Sequence, residues 1–140
     1  MSFFSAASGA ALWRGYEYCQ DARVLSWEQI DANTLQGKVQ GSSEKVYTVT
    51  VNLKHPRASQ CDCPHAAGRK IVCKHMVAVY FTALPQELER YLALVKETEQ
   101  EEGRRWEERR QEVWQYVNSL TKQQLKDELY QALLEKWGQW

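Results

Sequence analysis

The sequence predicts an α+β fold: a small antiparallel β-meander, one helix pinned against it, and a helical C-terminal region. Three observations predict it. The stretch "KVYTVTVNL" alternates Tyr47, Val49, Val51 and Leu53 with Val46, Thr48, Thr50 and Asn52, the period of a half-buried strand. From Gln86 onward the apolar residues recur at helical spacing. Between the two lies "CDCPHAAGRKIVCKH", residues 61–75, which holds three of the four cysteines and two of the three histidines.

The elements follow in order. Ala6, Ala7, Ala10, Ala11 and Leu12 predict a short helix within residues 5–19, ending near Gly15. "RVLSWEQI", "TLQGKVQ" and "KVYTVTVNL" are three strands, with turns at Asp31-Ala32-Asn33 and Gly41-Ser42-Ser43. His55-Pro56 ends the third, because proline cannot donate to the ladder. "KHMVAVYFTAL" reads as a largely apolar helix that Pro85 stops or follows. Leu88, Tyr91, Leu92 and Val95 form one helical stripe, and Trp106, Val113, Trp114, Val117 and Leu120 resume it. Thr121 with Gln124 makes a capping box for a last helix, whose stripe is Leu125, Leu129, Leu133 and Trp137. The organisation is residues 1–85 as one domain and 86–140 as a helical extension.

Composition bounds the function. The chain has 140 residues, 44% of them hydrophobic, which is enough for a core and unlike a disordered segment. The net charge is zero, so no global basic field draws it to nucleic acid. The balance is uneven: residues 1–85 carry +3 and residues 86–140 carry −3. No stretch approaches the roughly 20 apolar residues of a membrane span, and no N-terminal segment reads as a signal peptide. The expectation is a cytoplasmic or nucleoid-associated protein. In a reducing compartment, clustered cysteines more often hold metal or do redox work than form structural disulfides.

Residues 61–75 spell C-x-C-x9-C-x-H: Cys61 and Cys63 make one pair, Cys73 and His75 another. Two close pairs of soft donors joined by a loop suit tetrahedral zinc, and three thiolates with one imidazole fill all four positions. A filled shell is a structural site with no place for a reacting water. Three thiolates and Zn²⁺ sum to about −1, which Arg69, Lys70 and Lys74 can offset. A C-x-C redox pair accounts for Cys61 and Cys63 but leaves Cys73 and His75 idle. A Cys/His nucleophile lacks a visible Asp or Asn to orient it. His65 reads as a solvent-facing loop residue, His55 as a turn residue and the lone Cys19 as a core thiol.

These residues carry a resemblance. The motif, in the context "YTVTVNL", "CDCPH" and "CKHMVAV", resembles the SWIM zinc finger, named for the chromatin-remodelling ATPases and mutator transposases in which it occurs. "RGYEYCQDARV" and "LQGKVQGSSEKVYTV" are similar to the lead-in of bacterial SWIM proteins. "SLTKQQLKDELYQALLEK" is similar to their leucine-rich helix. The resemblance implies a ββα-type module with one structural zinc on Cys61, Cys63, Cys73 and His75. It also implies binding of DNA or protein without catalysis, and association with a helicase-like ATPase. No such ATPase is fused here, since no G-x-x-x-x-G-K-[ST] loop occurs.

Two surfaces are candidates for the partner. Lys54, Arg57, Arg69, Lys70 and Lys74 against Asp62 alone give +4 over residues 54–75. They read equally as a phosphate-binding patch or as a solvated loop that balances the zinc–thiolate charge. "RRWEERR" reads as a salt-bridged exposed helix, with Glu101–Arg105 and Arg104–Glu108 at i, i+4. Trp106 and Trp114 read first as helix packing and second, with Val117, as a partner surface. The functional expectation is a zinc-stabilised module for nucleic acid or a protein. The alternatives are a pure protein-interaction adaptor and a thiol-redox zinc switch.

Overall fold

The computed structural model describes residues 2–138. The chain forms two compact units, the first ending at Leu94 and the second beginning at Val95.

The first unit opens with α1 (Phe3–Ala6) and α2 (Gly9–Gln20), capped by the hydroxyls of Ser2 and Ser8. Contrary to expectation, α2 does not stop near Gly15 but runs on to Gln20. Gly15 is there for packing: a Cβ would lie 2.5 Å from Val77 Cβ and 3.1 Å from the Lys74 carbonyl oxygen. Two residues past the helix end, Ala22 takes the left-handed conformation (φ 55°). Arg23 N–H bonds the Tyr18 carbonyl and Ala22 N–H the Cys19 carbonyl, the two closing bonds of a Schellman turn.

A four-stranded antiparallel sheet follows, in the order β1 (Val24–Asp31), β2 (Thr34–Gln40), β3 (Val46–Asn52), β4 (Gln60–Cys61). The three expected strands are present. The fourth, two residues long, was not expected. The turn after β1 is held by Asn33 N–H donating to Asp31 Oδ1 at 2.8 Å, and the turn after β2 by Gly41 N–H donating to the Lys45 carbonyl at 2.7 Å. Alternation divides the sheet as the sequence requires: Leu35, Val39, Tyr47, Val49 and Val51 are buried on one face. Gln36, Lys38, Thr48 and Thr50 lie on the other, where Lys38 Nζ donates to Thr48 Oγ1 at 2.7 Å.

After β3, the Asn52 carboxamide oxygen accepts from Lys54 and His55 N–H. A 3₁₀ turn, Pro56–Ala58, then carries the chain round to β4. The apolar face of the sheet packs on α3 (Lys74–Ala83), in which every residue from His75 to Phe81 is buried. On its other side α3 meets α1 and α2: Phe3 stacks on Tyr80 with centroids 4.3 Å apart. Phe81 lies against Tyr91, 5.2 Å between centroids, at the start of α4 (Pro85–Ser119). Tyr91 is buried, and Leu88 and Leu92 are half-buried, so the start of the first helical stripe faces the core of the first unit.

In the second unit, α4 continues to Ser119 and α5 runs over Lys122–Trp137. The capping box forms as expected: Gln124 N–H donates to Thr121 Oγ1, and Thr121 N–H to Gln124 Oε1. Arg104–Glu108 at 2.8 Å and Arg105–Glu101 at 3.4 Å give the salt-bridged helix. Trp106 and Trp114 do not pack as first expected; they are 65% and 66% exposed. Among the described residues, no helix is long and apolar enough to cross a membrane.

Candidate metal centre

Each donor is placed by a different piece of local structure. Cys61 ends β4, opposite Val49 in the ladder. Asp62 extends that ladder with its side chain, its Oδ1 accepting from Thr48 N–H at 2.9 Å. Cys63 starts a tight loop in which Ala66 and Ala67 N–H both donate to the Cys63 carbonyl. Gly68 allows the loop to turn back with φ 71°. Cys73 is the N-cap residue of α3, and His75 lies in its first turn.

These elements bring one donor atom each from Cys61, Cys63, Cys73 and His75 within 4.8 Å of one another, and all four residues are buried. His75 Nδ1 stands 3.8 Å from both Cys61 Sγ and Cys73 Sγ. Zinc bonds of about 2.3 Å to sulfur and 2.1 Å to nitrogen, at a tetrahedral angle, separate S and N by about 3.6 Å. The donors therefore already hold the spacing that a four-coordinate ion needs, and Nδ1 is the histidine atom that faces it. The set fits one structural zinc ion, with three thiolates and one imidazole completing its shell.

The electrostatics agree. Cys73 is held far below the ordinary thiol range, at about 4, chiefly by a hydrogen bond from the Cys61 thiol. The His75 ring and the Met76 N–H at the helix N-terminus add to this. The same contact pushes Cys61 upward, and burial raises Cys63. Without metal the cluster thus keeps one thiolate and shares protons on the other sulfurs. Ligation requires those protons to leave, so metal affinity weakens as the pH falls.

The walls of the site were not legible beforehand. Tyr18 from α2 meets the His75 ring edge-on at 5.5 Å, and Tyr47 from β3 lies 4.9 Å from it. Arg23 and Lys74 sit 5.0 and 4.9 Å from the Tyr18 ring centroid, bringing positive charge close to the cluster. The one advance signal was Tyr47 at an inward position of β3.

The remaining candidates fall as follows. Cys19 is half-buried away from the cluster and accepts from Thr82 Oγ1 at 3.4 Å. His65 is exposed and outside the four-donor group. Arg57, Arg69 and Lys70 line one cleft of about 900 Å³ with Thr48, Thr50, Gln60 and Asp62. Lys74 lines a different cleft, with Arg14 and His65, and Lys54 lines neither. Arg69 and Lys70 sit in the loop between the cysteine pairs, and Lys74 begins α3. Trp106, Trp114 and Val117 lie on α4, Val117 half-buried.

No curated protein and no solved structure matches the chain. Residues 47–84, from Tyr47 in β3 to Leu84 at the end of α3, match the family model of the SWIM zinc finger, and they enclose the four donors positioned to bind a metal ion.

Proposed function

We propose that the first unit is a non-catalytic, zinc-pinned binding module whose outer cleft takes nucleic-acid phosphate. The observation that carries this reading is the meeting of three cations from two separate segments. Arg57 comes from the 3₁₀ turn after β3, and Arg69 and Lys70 from the loop between the cysteine pairs. Thr48, Thr50 and Gln60 add neutral hydrogen-bonding groups, and the one acid, Asp62, has an oxygen engaged by Thr48 N–H. Zinc serves this surface by fixing the Arg69/Lys70 loop to the sheet. A shell filled by four protein donors leaves no position for a reacting water, which supports the non-catalytic reading.

Phosphate contacts release counterions, so the logarithm of affinity falls with the logarithm of salt by about 0.9 per contact on duplex DNA. Three contacts give a slope of about −2.7, with weak sequence preference. Arg69→Ala with Lys70→Ala is expected to weaken binding and reduce the slope to about −0.9 while zinc stays bound. Fluorescence anisotropy with labelled DNA and RNA across a salt series measures both. Unchanged affinity in the double variant, or no binding by the wild type at low salt, contradicts this reading. It would favour the adaptor reading, in which a protein such as a helicase-like ATPase is the partner. Loss of zinc on mild peroxide treatment would favour the redox-switch reading instead.

A further inference from the structure

Glu102, Trp106, Arg109 and Val113 stand at i, i+4, i+7 and i+11 on α4, and so share one stripe of the helix. All four are exposed. Within residues 101–110 most charges are satisfied by their own helix: Arg104 pairs with Glu101 and Glu108, Arg105 with Glu101, and Arg110 with Glu107. Glu102 and Arg109 are the exceptions; neither has an ion pair among the described residues. They have opposite signs but cannot meet, since seven residues of helix separate them by about 10 Å.

We propose that this stripe is a self-association surface: α4 pairs antiparallel with α4 of a second copy of the chain, about a two-fold axis beside Trp106. In that arrangement Glu102 faces Arg109 of the second copy and Arg109 faces Glu102 of the second copy, so every one of these unpaired charges is answered and the dimer gains two ion pairs. The two Trp106 rings meet at the axis, and their exposed apolar surface is removed from water. A groove of about 470 Å³ beside Trp106, lined by Arg109, Arg110, Val113 and Trp114 with Glu107 and Gln111 also on its wall, lies where Glu102 of the second copy arrives. A parallel, in-register pair would instead stack Glu102 on Glu102 and Arg109 on Arg109, which like-charge repulsion opposes. This self-complementarity identifies the occupant as another copy of this chain. A closed two-fold pair is also the commonest oligomeric arrangement.

The test is sedimentation equilibrium on the full chain, at low and high salt. The wild type is expected to show a monomer–dimer equilibrium in the micromolar range that weakens with salt. Trp106→Ala should shift the protein to monomer. Glu102→Arg alone and Arg109→Glu alone should each weaken association roughly tenfold or more, because each turns two attractive pairs into repulsive ones. An equimolar mixture of those two variants should regain wild-type association, since each chain then meets opposite charges. A helical packing role within one chain predicts no such rescue. A wild type that stays monomeric at low salt, or a mixture that associates no better than its components, overturns the proposal.

Discussion

Removing zinc from the purified protein is expected to abolish amide protection across residues 47–84, and Cys61→Ser, Cys63→Ser, Cys73→Ser or His75→Ala is expected to do the same. The four donors are spread over β4, a loop and the start of α3, so the metal is the junction of three local structures. Zinc-finger sites contribute on the order of 10 kcal/mol or more to folding. That matches the whole stability of an ordinary domain, about 5–15 kcal/mol. Without the ion, the buried Cys73 thiolate keeps only hydrogen bonds from the Cys61 thiol, the His75 ring and the Met76 N–H. The capping box of α5 is local and does not depend on the metal, so helical signal from the second unit should persist. Cys19→Ser and His65→Ala should retain full zinc. Hydrogen exchange with and without chelator, paired with elemental analysis of each variant, reads both effects. Unchanged exchange in 47–84 after chelation would sink the account.

Phe81→Ala separates the hydrophobic core from the metal. Phe81 is almost fully buried near Tyr80, Tyr91 and Phe4. Truncating such a ring costs about 3–5 kcal/mol, the lost transfer energy plus the cavity left behind. In a domain of this size that lowers Tm by at least ~12 °C. His75 lies six residues away on the same helix, about 9 Å along its axis. The folded variant is therefore expected to keep one zinc per chain. Differential scanning calorimetry on a zinc-loaded sample checks this. A Tm within a few degrees of wild type would show that α3 is not docked through this ring.

What the sequence made legible was local and periodic. The alternation around Tyr47–Leu53 placed the inward face of β3, and the spacing of Cys61, Cys63, Cys73 and His75 placed the donor set. What it hid depends on tertiary contact. β4 is two residues long and has no period to read; it exists because Thr50 and Val49 offer it an edge. Gly15 resembled a helix end, yet the close approach of Val77 uses it mid-helix. The true end falls at Gln20, and the left-handed residue after it is Ala22, with no glycine to mark it. Tyr18 and Tyr47 as neighbours of His75 require α2, β3 and α3 to converge, which no local pattern records. The Trp106 stripe has helical spacing whether it faces a core or solvent, and only its exposure distinguishes the two.

The central claim is a closed zinc site of three sulfurs and one nitrogen. Zinc K-edge X-ray absorption on the purified protein tests it most directly. The account predicts one zinc per chain with three sulfur neighbours at about 2.3 Å and one nitrogen at about 2.0–2.1 Å. A shell containing oxygen, two nitrogens or fewer than three sulfurs would contradict it.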